Sequence, residues 1–118
     1  MNQYAFIFDM DGVIVDSNPF HKISLKQFCS KHGFDLSEDD LIRKIYGRTN
    51  KEWIPNLFGN LPKEQVQAYG TEKEALFREI YKDDIVALNG LEDFLITAQK
   101  DGFPIAIGTS APRANVDF

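Results

Sequence analysis

The feature that most constrains the fold is the stretch Tyr4-Ala5-Phe6-Ile7-Phe8, followed at once by Asp9-Met10-Asp11-Gly12. The apolar run is rich in aromatic and branched side chains and has no polar face. Such a run predicts a strand buried on both sides, as in a parallel sheet covered by helices. Two carboxylates one residue apart at its carboxyl end then sit where open α/β sheets bind ligands. A second short apolar run, Pro104 to Ile107, ends in Gly108, Thr109 and Ser110 and predicts a second strand. Little between the two is strand-like and much is helical, so the expected fold class is α/β with a parallel sheet.

The spacing predicts a first helix from about Pro19 to His32, with Leu25, Phe28 and Cys29 on one face. Gly33 and Phe34 break it, and Asp35 to Ser37 offer an N-cap to a helix whose early acids suit the positive end of its dipole. Thr49 caps a short helix over Asn50 to Phe58. A longer helix, Lys63 to Tyr81, carries a stripe of Val66, Tyr69, Leu76, Phe77 and Ile80, and Lys73 falls on that stripe. Leu91, Phe94, Leu95 and Ala98 mark one more amphipathic helix. The order strand, helices, helix, strand predicts an α/β core built from residues 1–17 and 84–118, with residues 18–83 inserted as a separate helical domain. Two parallel strands make a poor sheet, and the helix opened by Pro112 has barely begun at Phe118. The chain is therefore expected to be the N-terminal part of a longer protein, with exposed core surface open to self-association.

Charge and cysteine usage narrow the function classes. The 118 residues carry 13 basic and 18 acidic side chains, a formal net charge of -5, with no run of lysines or arginines. A basic face for nucleic acid or anionic membrane is not expected. A single cysteine, Cys29, excludes an internal disulfide framework and a multi-cysteine metal site and fits a reducing compartment. The N-terminus lacks a basic start, and aspartates interrupt its apolar run, so it reads as neither signal peptide nor membrane span. The expected location is cytoplasmic.

Asp9 and Asp11 can converge on one hard divalent cation such as magnesium, which takes a couple of carboxylates together with waters and a phosphate. One aspartate can then attack phosphorus while the other handles the proton, which splits a difficult displacement into two easier ones. Taken alone, Asp-x-Asp-Gly reads equally as a solvated acidic turn. Here a strand precedes it, Val13-Ile14-Val15 follows, and Asp16-Ser17 closes it. Thr109, ending the second strand, can hold a phosphate oxygen through neutral donors, with Ser110 as its neighbouring candidate. The competing reading is that Ser110 or Ala111 caps the last helix. Lys73, in mid-stripe, either snorkels to water or points into a cleft where an anion arrives. Trp53 reads as helical core.

The segment Phe6 to Ser17 resembles the first motif of the haloacid dehalogenase-like hydrolase superfamily, particularly its β-phosphoglucomutase-like phosphatase branch, where a helical cap follows that motif directly. The resemblance implies a Rossmann-like core with an inserted cap. It implies that Asp9 is the phosphoryl-accepting nucleophile and a magnesium ligand. It makes Asp11 the general acid/base, touching the metal through its backbone carbonyl, and favours phosphoryl transfer over dehalogenation. Thr109 is similar to the superfamily's second motif. Glu72-Lys73-Glu74 looks like the cap lysine that reaches the substrate's phosphate side, His21 matches a histidine near the cap hinge, and Gly47 and Thr49 resemble the cap loop. Asn50 departs from the pattern, because β-phosphoglucomutase has an arginine there. The superfamily also uses a lysine and further acids downstream of its second strand, and no residue of this chain stands in their place. The chain alone is therefore expected to be nearly inert. The implied activity is a magnesium-dependent phosphatase acting on a small phosphorylated metabolite. A sugar-phosphate mutase and a non-catalytic binding or assembly module are the alternatives.

Overall fold

The computed structural model describes residues 3–118. Eight elements follow in the order β1 (Phe6–Phe8), α1 (Asn18–Lys31), α2 (Glu38–Lys44), α3 (Asn50–Phe58), α4 (Lys63–Tyr81), α5 (Leu91–Lys100), β2 (Ile105–Ile107) and α6 (Arg113–Val116). They divide into two compact units: one formed by the chain up to Pro19 with Tyr81–Phe118, the other by Phe20–Ile80.

In the first unit β1 and β2 pair in parallel, with Phe6 opposite Ile105, Ile7 opposite Ala106 and Phe8 opposite Ile107. Parallel strands need a long crossover, and everything from α1 to α5 lies between these two. Successive strand side chains point to opposite faces. The Phe6 ring meets Phe94 of α5 at 5.2 Å and Phe103 at 5.2 Å, and Phe8 meets Phe94 at 5.9 Å. Ile7 points the other way and is 75 % exposed. The expectation of a strand buried on both faces is therefore corrected. Among the described residues α5 covers the Phe6–Phe8 side, while Ile105 and Ile107 keep substantial exposure and Ile7 lies open.

The second unit closes around Leu25, Phe28, Cys29, Leu41, Ile45, Trp53 and Ile54. Phe28 is its hub, set edge-on to Trp53, Phe58 and Tyr69 at centroid distances of 6.0, 6.0 and 5.9 Å. Edge-to-face contacts of this kind add to simple area burial. Two helix starts are fixed as their sequences direct. Ser37 and Asp40 form a reciprocal capping box at α2, and Thr49 and Glu52 form another at α3. Trp53 is 2 % exposed, in the core as expected. No helix among the described residues is long and apolar enough to cross a membrane.

Candidate active site

The strand register positions the first site residues. Phe8 lies opposite Ile107, and the Gly108 N–H donates to the Phe8 carbonyl at 2.8 Å. Asp9 and Thr109, each just beyond these partners, therefore emerge at the same, carboxyl, end of the sheet. Asp9 is exposed, and its Oδ1 accepts the Met10 N–H at 2.8 Å.

The loop after Asp9 is tightly wound. The Met10 carbonyl accepts from Val13, Ile14 and Val15, and the Gly12 N–H donates to the Val15 carbonyl at 2.7 Å. Asp11 and Val15 thereby form an isolated parallel bridge. The bridge uses the neighbours of Asp11 and leaves its own carbonyl outside the ladder. Gly12 has φ +81°, and a Cβ built there would lie 2.9 Å from the Asn18 amide nitrogen. Val15 also bridges Ala87, and Leu88 N–H donates to the Ile14 carbonyl at 2.9 Å, which ties the loop to the segment ahead of α5.

Asp11 is half-buried and accepts a short hydrogen bond from the hydroxyl of Ser17, itself fully buried. A hydroxyl bonded to one carboxylate oxygen fixes the orientation of that side chain. The buried Tyr81 phenol lies in the field of Asp11 and Asp16. Burial first, and then these carboxylates, push its proton affinity up. Ser17 and Tyr81 are the site-side residues that sequence reasoning did not single out. The polar Asp16-Ser17 close of the motif and the place of Tyr81, four residues beyond Phe77 on the α4 stripe, were the available signals.

Thr109 is half-buried, and its Oγ1 accepts the Ala111 N–H at 3.1 Å, a hydroxyl turn over two residues. The same hydroxyl keeps its hydrogen as a donor while it accepts from Ala111. The residue at the N-cap of α6 is Pro112, with no side-chain cap bond. The competing reading of Ser110 or Ala111 as that cap is therefore set aside, and Ser110 is exposed beside Thr109.

Lys73 belongs to the other unit, so the sequence-selected residues fall into two groups: Asp9, Asp11, Thr109 and Ser110 in the first, Lys73 in the second. Of the two readings of Lys73, the snorkel to water is not what occurs. Lys73 is 5 % exposed, with its ammonium 3.1 Å from Glu74 Oε1 and 3.3 Å from His21 Nδ1. The ring of His21 stacks on Phe77 at 3.7 Å.

Metal capacity can be judged from the donors. No group of three or more His, Cys, Asp or Glu side chains among the described residues forms a metal cage. A pair of loop carboxylates fits magnesium, which keeps waters and substrate oxygens as its remaining ligands, and does not fit a structural zinc site.

The profile of the haloacid dehalogenase-like hydrolase family matches residues 6–117. The chain belongs to that family. As a haloacid dehalogenase-like hydrolase it is 29 % identical over 114 residues to a phosphorylated carbohydrates phosphatase of Thermotoga maritima, covering 92 % of this chain and 50 % of that protein. A family IA, variant 3 hydrolase from Entamoeba histolytica superposes with a TM-score of 0.87 at 31 % identity, over 98 % of this chain and 52 % of that one. A β-phosphoglucomutase from Clostridium difficile gives 0.67 at 26 % identity, over 87 % of this chain and 49 % of that one. The chain thus spans about half the length of these relatives. The α/β architecture with paired parallel strands is the family's fold.

Proposed function

We propose that this hydrolase is a phosphatase that releases phosphate from a small phosphorylated metabolite through an aspartyl-phosphate on Asp9. The observation that carries the reading is the shared sheet end: a carboxylate after β1 and a hydroxyl donor after β2, with a second carboxylate held by Ser17. Similarity to a phosphorylated carbohydrates phosphatase supports the substrate class.

In this reading Asp9 attacks phosphorus with the carboxylate oxygen that does not accept the Met10 N–H. Thr109, with Ser110 beside it, donates to a non-bridging phosphate oxygen. Asp11, steadied by Ser17, gives its proton to the departing alkoxide and later takes one from the water that hydrolyses the acyl phosphate. Asp9 and Asp11 would hold magnesium. When bound, that ion offsets the repulsion between an anionic nucleophile and an anionic substrate. The helical unit is the cap that selects the substrate and excludes water, and Lys73 is its cation for the phosphate side. A buried free thiol at Cys29 suits a reducing cytoplasm. Full activity is assigned to the gene-encoded protein, since the relatives named are about twice as long as the matched segment.

The test uses the gene-encoded protein with magnesium, p-nitrophenyl phosphate and β-glucose 1-phosphate. Inorganic phosphate release that falls roughly a thousandfold or more in Asp9→Asn supports the reading. An isomerised sugar phosphate in place of free phosphate would establish a mutase. Release unchanged in Asp9→Asn would overturn the nucleophile assignment.

A further inference from the structure

The helical unit contains a buried polar chain that ends on Lys73 and whose other members have no part in the proposed reaction. The indole N–H of Trp53 donates to Asn50 Oδ1 at 2.9 Å, and Asn50 Nδ2 donates to Glu74 Oε1 at 2.9 Å. The same Glu74 oxygen accepts from the Lys73 ammonium at 3.1 Å. We propose that Glu74 is a positioning residue for Lys73, and that Asn50 and Trp53 form the strut that holds Glu74 in place.

Three physical features carry this. First, consecutive helix residues do not face each other, so Lys73 and Glu74 on α4 meet only if both side chains are drawn round from their default directions. Asn50 supplies the pull on Glu74, and His21 Nδ1 lies 3.3 Å from the same ammonium. Second, both charges are buried, with side-chain exposures of 6 % for Lys73 and 11 % for Glu74. A buried ion pair is costly unless further hydrogen bonds satisfy it, and breaking one side leaves an uncompensated charge. Third, the strut has a defined direction. Indole is a donor only and carboxylate an acceptor only, so the Asn50 amide between them fits in one orientation. Reversal would set N–H against N–H and oxygen against oxygen. Asn50 thus has its two polar ends engaged inside the helical unit.

The inference rests on the reading of Lys73 as the cap cation, yet its test does not depend on turnover. The gene-encoded protein is labelled with 15N-lysine, and the ammonium resonances are recorded together with the part of the tryptophan emission that Trp53→Phe removes. Lys73→Ala identifies the Lys73 signal by its loss. Glu74→Gln is expected to shift that signal and to speed its proton exchange with water by about tenfold or more, the worth of a hydrogen bond to a charged group. Glu74→Asp, which keeps the charge on a shorter arm, should recover part of the slow exchange. Asn50→Ala should move both the Lys73 signal and the Trp53 emission. Ile54→Val, a core change outside the chain of bonds, should move neither beyond a few tenths of these effects. A Lys73 signal indifferent to Glu74→Gln in a folded variant overturns the proposal. Should Glu74→Gln fail to fold, Asn50→Ala decides it alone, and an unmoved Lys73 signal there is equally fatal. The phosphatase reading is tested separately by Asp9→Asn, which leaves the Lys73 resonance in place.

Discussion

Gly12 separates two costs that a substitution in the site loop would combine, and Gly90 allows them to be measured apart. Both glycines hold positive φ, +81° and +83°. An L-residue forced into that region costs roughly 1–2 kcal/mol, offset in part by the smaller entropy of the unfolded chain. At Gly90, the N-cap of α5, an added Cβ would meet nothing within 4 Å. Gly90→Ala should therefore report the backbone cost alone, about 1 kcal/mol. At Gly12 the new methyl would sit 2.9 Å from the Asn18 amide nitrogen, well inside ordinary contact. That atom ends a flexible side chain, so relief is a rotamer adjustment costing about 0.5–1.5 kcal/mol. Gly12→Ala should accordingly lose about 1.5–2.5 kcal/mol, and in an Asn18→Ala background the loss should fall to the Gly90 value. Urea denaturation followed by circular dichroism supplies all the values of the cycle. If Gly12→Ala costs nothing, or its excess over Gly90→Ala survives removal of the Asn18 side chain, this account of the loop is wrong.

Further outcomes follow from the helical unit. Phe28→Ala removes the fully buried hub of the aromatic cluster and should cost about 3–5 kcal/mol, measured by loss of Trp53 fluorescence in urea. The folded unit should weaken in acid. Glu38 beside Lys22, Asp40 under the Ser37 hydroxyl, Glu52 at the Thr49 N–H and Glu72 beside Lys31 all hold their protons more weakly than usual. Depressed folded values mean that the unfolded chain binds protons first, so this stabilisation is complete above about pH 4.5 and is lost as pH falls below it. Asp40→Asn with Glu52→Gln should flatten that acid limb in thermal melts across pH 3–6, a range chosen to bracket ordinary carboxylates. Burial pushes the Cys29 thiol up to about 11 from 9.0, so at pH 8 roughly a hundredfold less thiolate is present than on an exposed thiol. Iodoacetamide should label native protein at the rate of local opening and label urea-unfolded protein promptly; equal rates would contradict the burial.

Much of the element order was legible because its signals are local. Of the Asp35 to Ser37 stretch, Ser37 is the N-cap of α2, and Thr49 is the N-cap of α3, each directly before the helix it opens. The Val66–Ile80 stripe needed only its own period to define α4. The strands were harder, because three residues cannot say how many layers cover them. An aromatic-aliphatic-aromatic run has the same composition whether one face is packed or both. What distinguishes the cases is Phe94, most of the chain away from Phe6, and Ile7, for which no described helix supplies a cover.

The site shows the same division between local and distant information. Asp9, Asp11 and Gly12 could be read together because the loop that uses them is contiguous, and Thr109 because a parallel pair brings strand ends to the same edge. Ser17 was read only as the close of the motif, although it lies six residues from Asp11, since nothing in a serine's identity says that its hydroxyl will be buried and aimed at a carboxylate. Lys73 was ambiguous for a deeper reason. Its own helix offers an apolar stripe and an adjacent acid that ordinary geometry turns away, which is why a path to water looked natural. The groups that make burial tolerable come from elsewhere: His21, separated by 52 positions, and Asn50, 24 positions from the glutamate it holds. A charge can stay inside a helical unit only when such distant partners complete its hydrogen bonds. The lysine and its strut are therefore one feature energetically, and a substitution at Asn50 should be felt at Lys73 even though the α3 residue makes its bond to Glu74.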